Sequence, residues 1–62
     1  MELIEIREFL QGKEFYSPSN GCKVHVEDGN AYDESDEWIP ADFVHGVDSN
    51  EFWRTLYHEY MN

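Results

Sequence analysis

Leu3, Ile6 and Leu10 recur at intervals of three and four, with Phe9 beside them, and this spacing predicts a helix over residues 2–11. Alternation suited to a strand runs only over Ile4–Glu8 and is too short to outweigh it. Glu2 and Glu5 fall at the amino-terminal end, where the helix dipole favours anions. Gly12 suits a left-handed stop, and Lys13 follows it.

The pattern then changes to a period of two. Glu14–Tyr16 and Lys23–Glu27 flank Ser17-Pro18-Ser19-Asn20-Gly21, whose Pro, Asn and Gly favour a turn, so a hairpin is expected. Within the second run Val24 and Val26 point one way, and Lys23, His25 and Glu27 the other. Glu27-Asp28-Gly29-Asn30 gives a second turn. A third strand is expected either through Ala31–Asp33 or near Trp38-Ile39, with the acidic run between them as a loop.

Pro40 can open a helical turn through residues 40–44, ended by Gly46. Asp48 or Ser49 caps a last helix over about residues 50–61. Phe52, Trp53, Leu56, Tyr57, Tyr60 and Met61 form one wide apolar stripe on it. Glu51 and Arg54 lie on its polar side at a spacing that allows pairing. There is no internal repeat and no linker, so residues 1–62 read as a single domain. The fold class is α+β: a small antiparallel sheet, a hairpin plus a third strand, packed by the C-terminal helix and preceded by an N-terminal helix.

Composition changes this picture in two ways. A chain of 62 residues buries only roughly 60% of its unfolded surface and is marginal. Four Phe, four Tyr and two Trp supply the missing core, at roughly 150–250 Å² each. Such aromatic content also argues against a disordered acidic chain. Cys22 is the only cysteine, so no internal disulfide forms, and a reducing cytoplasm is the expected compartment (the host's, if the chain is phage-encoded). No apolar run is long enough for a membrane span, and Met1–Leu10 lacks the basic-then-apolar order of a signal peptide.

The second change is charge. Fourteen acidic residues against four basic ones leave a net charge of −10. Phosphate contacts need Lys and Arg, so direct nucleic-acid binding is excluded and a basic nucleic-acid-binding protein becomes the natural partner.

Metal and catalytic chemistry find little footing. A calcium loop starting at Asp28 offers Asn30, Tyr32 and Asp33 but places Ile39 where a bidentate Glu belongs. A loop starting at Asp33 offers Ser35 and Glu37, then Trp38 for Gly and Val44 for Glu. Cys22 and His25 have a Cys-x-x-His spacing without a second pair, and His45 and His58 are isolated. No metal or cofactor is therefore expected. Carboxylates are too abundant for any pair of them to signal acid–base catalysis. Phosphate loops, nucleophile elbows and metal triads do not occur, so no catalytic residue is assigned and the chain is not expected to be an enzyme.

What remains is the acidic stretch from Val26 to Trp38. It is either a solvated loop or a polyanion surrogate, with carboxylates held where phosphates would lie. In the second case Asp33 and Asp36, with Glu34 and Glu37, form two rows if helical or opposite rims if extended. Asp42, Asp48, Glu51 and Glu59 would extend the array. The expected partner-binding residues are Glu27, Asp28, Tyr32, Asp33, Glu34, Asp36, Glu37 and Trp38, with the two aromatics as apolar anchors.

Ala31-Tyr32-Asp33-Glu34-Ser35, followed by Asp36-Glu37, resembles a run in the phage uracil-DNA glycosylase inhibitors, where it lies in a β-hairpin; Val24-His25 resembles a Val-His of the same region. Those proteins are acidic DNA mimics, so the resemblance implies a phage inhibitor that occupies the nucleic-acid groove of a host glycosylase, CRISPR or restriction component. Their Glu-Ser-Ile wedge is not found here, since Glu34-Ser35 is followed by Asp36, and no binding residue is carried over. The alternative function is a small adaptor or homodimer that binds through Trp53, Tyr57 and Tyr60 of the last helix.

Overall fold

A computed structural model describes residues 1–40 and 48–62. The helical turn expected after Pro40, with Asp42, Val44, His45 and Gly46, lies outside the described residues.

Helix α1 spans Leu3–Leu10. The Glu5 carboxylate accepts a hydrogen bond from the Glu2 amide at 2.8 Å and satisfies one of the free donors at the helix start. Gly12, at φ +79°, ends the helix as expected. Four strands follow: β1 (Glu14–Ser17), β2 (Cys22–Glu27), β3 (Asn30–Tyr32) and β4 (Trp38–Ile39). They pair antiparallel in chain order, as a meander. The α+β class holds, and the sheet is larger than expected. The two alternative places for a third strand are both strands, and they pair with each other through Ala31↔Ile39 and Tyr32↔Trp38. Helix α2 spans Ser49–Met61. Asp48 is its cap, accepting from the Glu51 amide at 2.8 Å, so Ser49 is the first helical residue. Among the described residues no helix is long and apolar enough to cross a membrane.

Both helices cover the same face of the sheet. The buried core joins Ile6 and Leu10 of α1, Val24, Val26 and Ala31 of the sheet, and Phe52, Trp53 and Leu56 of α2. Trp53 is wholly buried, and the Arg7 guanidinium lies over its ring at 5.2 Å from the centroid. Its indole Nε1–H has no hydrogen-bond partner among the described residues. An unmet donor costs about 1–3 kcal/mol. The ring removes roughly 150–250 Å² from water at about 25 cal/mol per Å², which exceeds that cost.

Polar contacts tie the turns to the helices. The β2–β3 turn has positive φ at Asp28 (51°) and Gly29 (75°), the geometry of a two-residue hairpin loop. Helix α1 holds this turn at both backbone groups of Gly29. Gln11 Oε1 accepts from its amide at 3.1 Å, and Arg7 donates to its carbonyl through Nε and Nη2. At the other end, Ser17 is the buried polar residue of the core side. Its Oγ donates to Glu59 Oε1 at 2.5 Å and accepts from Asn20 Nδ2 at 2.8 Å. Glu59 Oε2 accepts from the Ser19 amide at 2.9 Å, so one carboxylate of α2 clamps the β1–β2 loop.

Candidate functional site

Among the described residues, strand alternation leaves the second sheet face without a covering layer. In β2 Lys23 and Glu27 are exposed and His25 is half-buried, while Val24 and Val26 face the helices. The register then aligns residues across the sheet. Glu14 pairs with His25, His25 with Tyr32, and Tyr32 with Trp38. These four side chains form one row over four strands. The His25 and Tyr32 rings stack at 5.4 Å between centroids and 19° between planes. Trp38 ends the row on β4, and Tyr16 stands on the opposite edge strand β1, two residues from Glu14; each is 60% exposed.

The acidic loop between β3 and β4 is folded back on itself. Asp33 Oδ1 accepts from the Ser35 amide at 2.8 Å and the Glu37 amide at 3.0 Å. Its own amide donates to the Glu37 carbonyl at 2.9 Å, and the Asp36 amide to the Asp33 carbonyl at 2.9 Å. Asp36 adopts φ +62°, a conformation that Asp and Asn tolerate better than most residues. Neither a helix with two rows of charge nor an extended strand with two rims describes this segment. A side chain competing for local amides makes a turn instead. The turn brings Asp36 over the sheet, with Oδ1 at 3.5 Å from His25 Nε2.

The result is a groove of about 410 Å³ on the outer face, lined by Gly12, Glu14, His25, Val26, Glu27 and Asp36. Of the expected partner-binding residues, Glu27 and Asp36 line it, and Tyr32 and Trp38 continue its His25 row. Glu34 and Glu37 are exposed on the adjoining loop. Asp33 serves the loop itself. Asp28 lies at the opposite end of β3, in a cavity lined by Ile4, Arg7, Glu8, Gln11 and Gly29. The eight residues therefore do not form one continuous patch.

His25 is expected opposite the valines but not among the binding residues, and Glu14 and Tyr16 belong to the face without having been expected there. The alternation in Glu14–Tyr16, carried through the hairpin register, contains the signal that places them. Two carboxylates thought to extend the array have structural work instead, Asp48 as helix cap and Glu59 as loop clamp. Asp42 lies outside the described residues.

The cations are largely committed elsewhere. Arg7 holds Gly29 and covers Trp53, and the Lys13 ammonium sits over Phe9 at 5.4 Å. Arg54 donates to Asn50 Oδ1 at 3.1 Å rather than pairing with Glu51. Among the described residues the Asp36 carboxylate lies against His25, and no carboxylate pairs with Lys or Arg.

Cys22 packs against the core while His25 lies on the opposite face, as residues three apart in a strand must, so the two cannot ligate one ion. Among the described residues no three His, Cys, Asp or Glu side chains are grouped to share a metal. On α2, Trp53 is core, and Tyr57 and Tyr60 meet Phe9 edge-on at 5.6 and 5.7 Å. Comparison with protein-family models, curated proteins and solved structures gives no match.

Proposed function

We propose that this chain is a non-enzymatic inhibitor that imitates DNA and blocks the nucleic-acid groove of a host DNA-binding protein. The observation that carries this reading is that the negative charge is left unneutralised on an ordered scaffold. No Lys or Arg is paired with a carboxylate among the described residues, and the loop with Asp33, Glu34, Asp36 and Glu37 is fastened by four internal hydrogen bonds. Fixed anions can meet a Lys/Arg array without paying the entropy of ordering a flexible tail. A chain with a net charge of −10 also steers toward a basic cleft over distance, which makes association fast and sensitive to salt. Glu27, Glu34, Asp36 and Glu37 on the outer side of the sheet meet that cleft, with Tyr32 and Trp38 against its apolar parts. The adaptor reading loses its central aromatic, because Trp53 is enclosed by both helices and the sheet.

The test starts with capture of binding proteins from a bacterial host lysate on the immobilised chain. The reading requires that the captured species bind duplex DNA, that duplex DNA displace them, and that raising the salt concentration release them. Retention indifferent to both salt and duplex DNA overturns it.

A further inference from the structure

The outer face has a second property beyond its charge, which is that its aromatic row has an open end beside carboxylates. His25 sits between β1 and β3 on the central strand β2. Its ring is nearly parallel to Tyr32, so one face is covered by β3. On its β1 side His25 pairs with Glu14, and both line the groove. Glu27, two residues along the same strand, and Asp36, folded over from the loop, complete the lining. A flat π surface therefore stands beside three carboxylates, with Trp38 and Tyr16 exposed on the same sheet face.

We propose that this sheet face docks a protein partner through an arginine side chain, stacked on the open face of His25 and held by Glu14, Glu27 and Asp36. The proposal rests on the reading above that the partner is a basic protein, and narrows it to one side chain. Charge complementarity selects a cation, and the shape selects among cations. A guanidinium is planar, stacks on ring faces and offers paired N–H donors that match a carboxylate in two-point contact. An ammonium is a strongly hydrated point charge that gains little from a flat ring at this site. Three carboxylates lining one groove supply more acceptors than one guanidinium can saturate.

The probes are hexa-arginine and hexa-lysine, peptides of equal charge, titrated into the full chain at one salt concentration. Binding is read from backbone amide NMR shifts and from fluorescence of the exposed Trp38. Hexa-arginine is expected to bind about tenfold more tightly than hexa-lysine and to shift the amides around Glu14, His25 and Asp36. The Glu14→Gln, Asp36→Asn double variant is expected to remove most of that preference, about a five- to tenfold loss for the arginine peptide. Asn is chosen because it keeps the left-handed backbone at position 36. The Glu5→Gln, Glu8→Gln variant, equally reduced in charge but on α1, should retain the preference, and both variants should keep a dispersed amide spectrum.

Equal binding of the two peptides overturns the arginine site and leaves the charge-driven reading standing. Binding of neither peptide overturns both. An arginine preference that survives the groove variant and is lost in the α1 variant also overturns the site, because it places the contact on the helix.

Discussion

The two faces of one four-stranded sheet show how the same backbone supports opposite chemistry. On the inner face β2 contributes Val24 and Val26, which meet Leu10, Trp53 and Leu56 in a core closed by both helices. On the outer face it contributes Lys23, His25 and Glu27, and no layer among the described residues covers them. The inner face holds the fold by burial, which is nondirectional and scales with area. The outer face contributes little to stability, since exposed charges interact weakly in water and like charges repel. A marginal 62-residue domain leaves such a face in place only if the inner face suffices without it. Stability thus rests on one side of the strands, and the proposed interaction on the other.

Substitutions that cross this division should have very unequal effects. Trp53→Ala on the inner side removes the largest buried side chain and should cost about 3–5 kcal/mol, enough to unfold most of the population. Loss of the cooperative thermal transition in circular dichroism would register it, and a native-like melting curve would show that the core does not depend on α2.

Glu59→Ala tests the polar corner of the inner face. It strips the buried Ser17 hydroxyl of its acceptor and frees the Ser19 amide, at an expected cost of about 1–3 kcal/mol in urea unfolding. A smaller change than that of the exposed Glu51→Gln on the same helix would mean that the clamp is not formed in solution.

Asp33→Ala moves to the outer side. It removes the acceptor for two loop amides and should cost about 1 kcal/mol. Its more telling readout is hydrogen exchange, which should quicken at Ser35 and Glu37 while Val24 and Val26 stay protected. Uniform exchange across all four would merge the two faces into one cooperative unit.

The smallest effect belongs to Glu34→Gln. As an exposed loop carboxylate without a partner among the described residues, it should change stability by less than about 0.5 kcal/mol. A binding partner of the kind proposed should nonetheless associate more slowly at low salt, with the difference shrinking as salt rises. Stopped-flow rates at two salt concentrations would separate that outcome from a residue with no role.

Some of this division can be read in the chain. The three-and-four spacing of Leu3, Ile6 and Leu10 marks α1, the stripe from Phe52 to Tyr60 marks α2, and alternation in Lys23–Glu27 divides its side chains between the two faces. Strands β3 and β4 could not be settled in the same way, because three residues and two residues are too short to show a period. Their existence depends on pairing with each other and with β2, which is information held between segments. The acidic loop misled for a different reason. Carboxylates in sequence look equivalent, but Asp33, Asp48 and Glu59 are each taken up by backbone amides or a buried hydroxyl, and a count of charges cannot separate these from the free ones.

The sequence by itself determined the two helices, the Gly12 stop of the first, the hairpin, and which side chains of β2 share a face, since each follows from periodicity or from the φ preference of Gly and Asx residues within a few positions. The tertiary structure alone decided that Glu14, His25, Tyr32 and Trp38 stand in one row and that Asp36 leans over it. Residues up to 24 positions apart are brought together there by register and by a loop that closes on its own carboxylate. Local preferences do not carry that information, because the free energy that fixes it comes from packing one face of the sheet against two helices.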